Sequence, residues 1–271
     1  QVNGIPFETA FGELFLTDAT VWRPPVTVRD VSIVIPGQHG SLAPGLPVYE
    51  EPTVTLTLRS RRASQAALEE AVNQAVAILT APTLTLSRLS GLLATSAPVK
   101  LRSISHDDFT YAKAAKLTAV YRVPGVFFRS SVSVSSDLAF SGDLTSAEIA
   151  SLSGSTAPIP DPIIRVTGPR TNPYVTGPST GTGLFWQGTV PAGQYLFLCP
   201  KPLSARLSAS GSDWLSGGTD VSGAASFPAA GRLQLWPVVQ TATTRKVLIS
   251  ATGTGGTAAS KLAVRAQGSY L

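Results

Sequence analysis

The chain of 271 residues contains no methionine, one cysteine and two histidines. The single Cys199 excludes an intramolecular disulfide and gives no sign of an oxidising compartment. A lone thiol on an apolar strand reads as a small buried residue. His39 and His106 cannot supply a metal site by spacing. His106 with Asp107 and Asp108 is the nearest approach, and it lacks a second nitrogen or sulfur ligand. Charged residues make up only 14% of the chain and aromatics 7%. The longest apolar patch, Ala75 to Leu79, falls far short of the roughly 20 residues a spanning helix needs. No basic start precedes an apolar run, so a secretory signal is not expected. The net charge of +5 is uneven: residues 1–157 carry 12 Lys/Arg and 13 Asp/Glu, and residues 158–271 carry 9 and 3. Those nine cations are scattered singly apart from Arg245-Lys246. A nucleic-acid reader needs a denser stripe, whereas this spread suits a solvated surface that meets an acidic partner.

What the chain does have is organised around residues 26–88. Val31 to Ile35 is an apolar run cut off by Pro36-Gly37. A Gly/Pro-rich connection follows through Pro44, Pro47 and Pro52, long for a loop inside a compact domain, and such loops are usually functional. Thr53 to Leu58 alternates at period two and predicts a half-buried strand. From Ala63 to Leu79, Leu68, Ala71, Val72, Ala75, Val76 and Leu79 recur at three- and four-residue spacing, which predicts an amphipathic helix. Pro82 ends it, and Thr83 to Leu86 alternates again. The helix and its flanking strands each need an apolar partner, so they must bury their faces on one another. Arg59, Arg61 and Arg62 stand just before the helix, where positive charge opposes the helix dipole. That placement calls for a carboxylate on another element or subunit.

Residues 99–104, 114–123 and 130–139 predict further strands. Thr145-Ser146-Ala147-Glu148 has capping-box spacing and predicts a short helix to Leu152. The small-residue stretch Ser153 to Pro158 reads as a linker, dividing the chain into domains 1–157 and 158–271. Beyond it no helical pattern remains. Strands are expected at 163–167, 174–176, 184–190, 195–199, 203–209, 233–239, 246–251 and 262–266, with 210–231 a loop carrying one hairpin. Short strands at that spacing argue a β-sandwich of jelly-roll type. The fold class is therefore mostly β: an α+β first domain with one main helix, then a β-sandwich.

The search for chemistry yields no catalytic set. Gly177-Pro178-Ser179-Thr180-Gly181 matches G-x-S-x-G by letters, but a nucleophile elbow needs a helix to follow, and both histidines lie upstream. Gly253, Gly255 and Ala258 resemble a dinucleotide fingerprint without the helix and βαβ unit it requires. The adjacent pairs Glu50-Glu51 and Glu69-Glu70 do not form an acid/base pair across a substrate. No cofactor or metal is implied, and the chain is not expected to be an enzyme. Trp186 beside Gln187, and Trp214 beside Asp213, are candidates for a glycan platform, which needs exposed aromatic faces and planar amides. That reading fails if both rings are buried.

One family resemblance covers nearly the whole chain. Val28-Arg29-Asp30-Val31-Ser32-Ile33 leads into Ile35-Pro36-Gly37-Gln38-His39-Gly40. Then come the Thr/Leu strand, the helix and Pro82-Thr83-Leu84. Lys116-Leu117-Thr118-Ala119-Val120-Tyr121 leads into Pro124-Gly125-Val126-Phe127-Phe128, and a sandwich opens with Ile163-Ile164-Arg165-Val166-Thr167-Gly168-Pro169. This order resembles the distal tail proteins of long-tailed, non-contractile bacteriophages. The resemblance implies a hexameric ring at the virion tail tip, assembled in the host cytoplasm. It implies contacts with the tail tube protein and with the tip or baseplate hub protein, a galectin-like second domain and no membrane insertion. DNA would be only a passing cargo. It places a neighbour-wrapping loop at Pro36, Gly37, His39, Pro44 and Pro47, with Arg59, Arg61 and Arg62 as further interface candidates. The near-neutral first half suits a lumen along which DNA slides.

Overall fold

The computed structural model describes residues 1–7, 14–18, 20–29, 33–34, 41–42, 45–90, 93–106, 114–241 and 244–271. It divides into two compact units, Gln1–Arg129 with Leu271, and Ser130–Tyr270.

In the first unit the strands are β1 (Leu14–Leu16), β2 (Val28–Arg29), β3 (Ile33–Val34), β4 (Ser41–Leu42), β5 (Val48–Tyr49), β6 (Thr53–Arg61), β7 (Leu84–Ser90), β8 (Leu93–His106) and β9 (Ala114–Arg122). Helix α1 (Gln65–Leu79) lies between β6 and β7. An antiparallel sheet runs β1-β6-β9-β8, and β7 pairs the first half of β8. The alternation read from the sequence sets which face is buried. Val54, Leu56 and Leu58 lie opposite Tyr121, Ala119 and Leu117, and all six are buried. Helix α1 covers them with Leu68, Ala71, Val72, Ala75 and Leu79. Each large apolar side chain buried there contributes about 1.5–3 kcal/mol. The Ser64 hydroxyl accepts from the Ala67 N–H at 3.3 Å and caps the helix, which therefore begins two residues later than its apolar spacing suggests. The Tyr121 hydroxyl donates to the Leu79 carbonyl at 2.9 Å and ties down the other end. Burial pushes that phenol well above its ordinary pKa.

The second unit begins within β10 (Phe128–Val134). Then follow β11 (Leu138–Ala139), β12 (Leu144–Glu148), β13 (Ile163–Thr167), β14 (Arg170–Thr176), β15 (Gly183–Trp186), β16 (Thr189–Val190), β17 (Tyr195–Cys199), β18 (Ser204–Ser208), β19 (Thr219–Asp220), β20 (Ala225–Ser226), β21 (Pro237–Val239), β22 (Arg245–Thr254) and β23 (Lys261–Tyr270). They form two sheets. One runs β23-β13-β17-β18-β19; the other runs β12-β22-β14-β15-β20. Alternate residues of each meet in one core: Ile164, Val166, Leu196, Leu198, Leu262 and Val264 from the first, Val175, Leu184, Val247, Ile249 and Ala251 from the second. This is a β-sandwich.

Three expectations change in this unit. Residues 145–152 do not form a helix. Leu144, Ala147 and Glu148 pair with Ala251, Ile249 and Leu248 as a strand, and only Ala150–Leu152 turns, as a 3-10 helix. Ser146 sits at φ +49°, outside the right-handed helical region. Strand pairing and the burial of Ile149 and Leu152 outweigh the local capping signal. Residues 153–158 are not a free linker, because the Thr156 and Ala157 N–H groups both donate to the Ser269 carbonyl, at 2.9 and 3.1 Å. The two compact units part between Arg129 and Ser130. In segment 210–231, β19 pairs with β18 and β20 with β15, so the two strands do not form a hairpin with each other.

Candidate assembly surface

Side chains alternate across a strand, so the residues of β6 that turn away from α1 are Thr53, Thr55, Thr57, Arg59 and Arg61. Lys116 lies opposite Arg59 and Arg122 opposite Thr53. Lys100 lies opposite Arg122 on the next strand, and Arg102 falls in the register shift beside it. Phe15 of β1, 58% exposed, stands opposite Arg59. One face of the sheet thus carries six exposed cations in two groups, with threonines between them. At one end Arg122 meets Glu51 at 3.5 Å. A cavity of about 430 Å³ is lined there by Glu51, Thr53, Leu101, Arg102 and Arg122. On the other side of the same sheet, α1 exposes Glu69 and Glu70 and has no Lys or Arg in its 15 residues. The near-neutral charge of the first half conceals this polarity. The sequence contained the signal, since Arg59 and Arg61 are two apart on an alternating strand, but cross-strand register was needed to add Lys116 and Lys100.

Of the expected interface residues, Arg59 and Arg61 are exposed on this face, and Arg62 lies beyond the strand, half-buried. Pro36, Gly37, His39 and Pro44 lie outside the described residues. Pro47 is exposed next to β5. There β2 and β5 pair as Val28 with Tyr49 and Arg29 with Val48. Val21, Val26, Val28 and Val48 are all exposed. Tyr49 anchors this ladder edge-on against Phe127, with ring centroids 5.5 Å apart. Val28 and Val48 lie on this ladder and Val26 just before it, whereas Val21 bridges to Thr55; exposed apolar side chains grouped in this way mark an interaction surface.

The two tryptophans do not form a glycan platform. Trp186 is 5% exposed and Trp214 7%. The Trp186 indole N–H donates to the Val221 carbonyl at 3.2 Å, and the ring lies so close to Gly188 that a Cβ there would sit 2.6 Å from it. Trp214 meets Phe197 edge-on at 5.5 Å, with the Arg165 guanidinium 5.1 Å from its ring centre. Its Gly/Ser-rich loop is pinned down. Arg206 donates to the carbonyls of Trp214 and Gly217 at 3.0 and 3.1 Å. Flanking small residues suggested an open loop, and that guanidinium closes it. Beside it a cavity of about 370 Å³ is bordered by Lys201, Cys199, Ser204, Arg206, Trp214 and Leu215. Burial pushes the Cys199 thiol pKa up.

Both motif look-alikes are turns. Gly177 to Gly181 joins β14 to β15, closed by the Gly177 N–H on the Thr182 carbonyl at 2.9 Å. Gly253 lies at the turn end of β22, and residues 255–260 join that strand to β23. Among the described residues no group of three or more His, Cys, Asp or Glu could hold a metal. His106 ends β8, and His39 is outside the described residues. One residue that the sequence did not single out is Arg170. It is 1% exposed and donates to the carbonyls of Ser141 and Gly142 at 3.0 and 3.1 Å. Its contacts are structural, and burial pulls its pKa down.

No protein-family profile matches the chain, and no curated protein matches it either. Among solved structures it is similar to the Dit protein of phage SPP1, described as a paradigm of the hub adsorption apparatus in phages that infect Gram-positive bacteria. The two are 10% identical over 94% of this chain and 93% of that one, with a TM-score of 0.58. The baseplate of phage P2 in its activated conformation with calcium matches at 9% identity over 96% of this chain and 92% of that one, with a TM-score of 0.34. The strontium form gives the same values. The chain shares the fold of the SPP1 Dit protein, a helix-bearing β unit followed by a β-sandwich.

Proposed function

We propose that this protein is a structural subunit of a bacteriophage tail tip. In this reading it forms a ring, of six copies, that joins the tail tube to the tip or baseplate proteins and leaves a channel through which DNA leaves the particle. The observation that carries the reading is the shared fold over 94% of the chain with a phage hub protein. Two features of the first unit support it. The β2–β5 ladder presents exposed valines at the root of the long Gly/Pro-rich segment, where a neighbour-wrapping arm would begin. The Arg59–Arg61 face offers charge to a partner. The burial of both tryptophans weighs against the alternative of a glycan reader.

The test is the mass of the purified protein in solution over a concentration series, measured by light scattering after size exclusion. A species near six times the 28.1 kDa chain is expected, with a central hole in electron micrographs. A single-chain mass at every concentration, together with no binding to purified tail tubes, would overturn the proposal.

A further inference from the structure

The two sides of the first unit's main sheet carry opposite charge at the same level. Helix α1 runs antiparallel to β6. Its start follows the end of that strand, and its last residue, Leu79, accepts from Tyr121, the partner of Val54 near the strand's beginning. Leu68 packs with Ala115 in one buried cluster, and Ala115 lies opposite Ser60. Glu69 and Glu70 therefore project outward from the helix at the level where Arg59, Arg61 and Lys116 project from the other side. Around the glutamates the helix exposes Ala66, Ala67, Asn73 and Ala77. These short side chains let a second surface come close. Among the described residues, the side-chain amides of Gln65 and Gln74 on the same helix donate to Glu69 and Glu70, at 2.9 and 3.3 Å.

The geometry points to a docking contact between two copies of this chain, in which the Glu69–Glu70 face of α1 in one copy seats on the Arg59–Arg61–Lys116 face of the next. The inference deepens the ring reading and rests on it. Complementary patches on opposite sides of one layer cannot satisfy each other by a twofold axis. They propagate head to tail, and such a contact ends only when rotation brings the last copy to the first. Because both patches lie at one level along the strands, a succession of such contacts needs no step along the perpendicular axis. A ring needs this absence of rise, together with a rotation per copy that divides a full turn. The interaction is electrostatic and half-exposed, so it sets orientation and weakens as salt shortens the screening length to about 3 Å near 1 M.

The experiment uses two double variants of the full chain, Glu69→Lys/Glu70→Lys and Arg59→Glu/Lys116→Glu, each measured alone and mixed in equal amounts by light scattering and native mass spectrometry. Each variant alone has the same net sign of charge on both faces, Arg61 being outweighed in the second, and is expected to stay at the single-chain mass. The mixture presents opposite charges at every junction of an alternating ring, and it is expected to recover the assembled mass with equal content of both. If the wild type assembles and either variant alone assembles equally well, this contact is wrong and the ring reading stands. If the wild type neither assembles nor binds purified tail tubes, the ring reading itself fails and this contact fails with it. If Arg59→Glu/Lys116→Glu keeps its mass but loses retention of a double-stranded DNA probe, the occupant of the basic face is a polyanion and the inference is overturned. Circular dichroism of each variant confirms that loss of assembly is not loss of folding.

Discussion

The guanidinium of Arg170 lies over the ring of Phe140, 3.9 Å from its centre. Both residues are buried, so the pair is a cation–π contact inside the second unit. It fastens segment 140–143 to the start of β14 through the Ser141 and Gly142 carbonyls. Gly256 leaves the room. A Cβ there would stand 2.0 Å from the Arg170 Nη1 atom and 2.4 Å from the Ser141 carbonyl oxygen.

Gly256→Ala should therefore destabilise the second unit by about 2–4 kcal/mol, since neither a guanidinium held by two carbonyls nor the backbone can yield cheaply. Arg170→Ala should cost a similar amount, because it leaves two carbonyls without donors. Combined, the two should cost less than their sum, since they break one latch. Urea unfolding followed by near-ultraviolet dichroism measures all three.

Tyr121 predicts an alkaline limit for the first unit. The folded phenol keeps its proton to higher pH than the unfolded chain does. Its contribution is full below about pH 10, the ordinary tyrosine pKa, and is lost as pH rises above it. Melting temperatures from pH 8 to 11 should fall more steeply for the wild type than for Tyr121→Phe. At pH 8 the variant should be about 1 kcal/mol less stable through loss of the bond to Leu79.

Trp186→Ala should unfold or severely weaken the sandwich, at about 3–5 kcal/mol, because the ring fills the core between the sheets. A ring that served only as a ligand platform would leave the melting temperature nearly unchanged. Thermal unfolding of this variant separates the two roles.

Cys199 should react slowly with iodoacetamide at pH 8, about tenfold or more below a free thiol, because burial holds its pKa up. Denaturant should restore the full rate, which mass spectrometry after timed quenching will show.

Much of this fold was legible in the chain. The expected strands 163–167 and 195–199 have the observed ends, because each is a short stretch rich in apolar side chains with Pro or Gly close by on both sides. Helix α1 was legible from its long apolar period, but its start was not, because the Ser64 cap sets it two residues later. The misread segments are those whose structure is decided by distant partners. Thr145 to Glu148 carries a sound local helix signal, and β22, a hundred residues away, overrides it. Ser153 to Pro158 has linker composition, yet its backbone is held by Ser269. The basic sheet face was only half visible, as Arg59 and Arg61, since Lys116 and Lys100 join them through register alone. Arg170 gave no signal, because an arginine in a β-rich stretch reads as solvated until its carbonyl partners are known.

The sandwich also has a consequence for how the protein is made. Strand β23 lies against β13, with Ile164 opposite Val264 and Val166 opposite Leu262, and it supplies Leu262, Val264 and Ala266 to the core. Until residues 261–270 have left the ribosome, β13 has an open edge and the core has an open side. The second unit must therefore wait, half-built, for its last strand, while the main sheet of the first unit, drawn from residues 14–122, already has all of its chain. In the proposed assembly, contacts made by the first unit could begin to form before the sandwich of the second unit has closed.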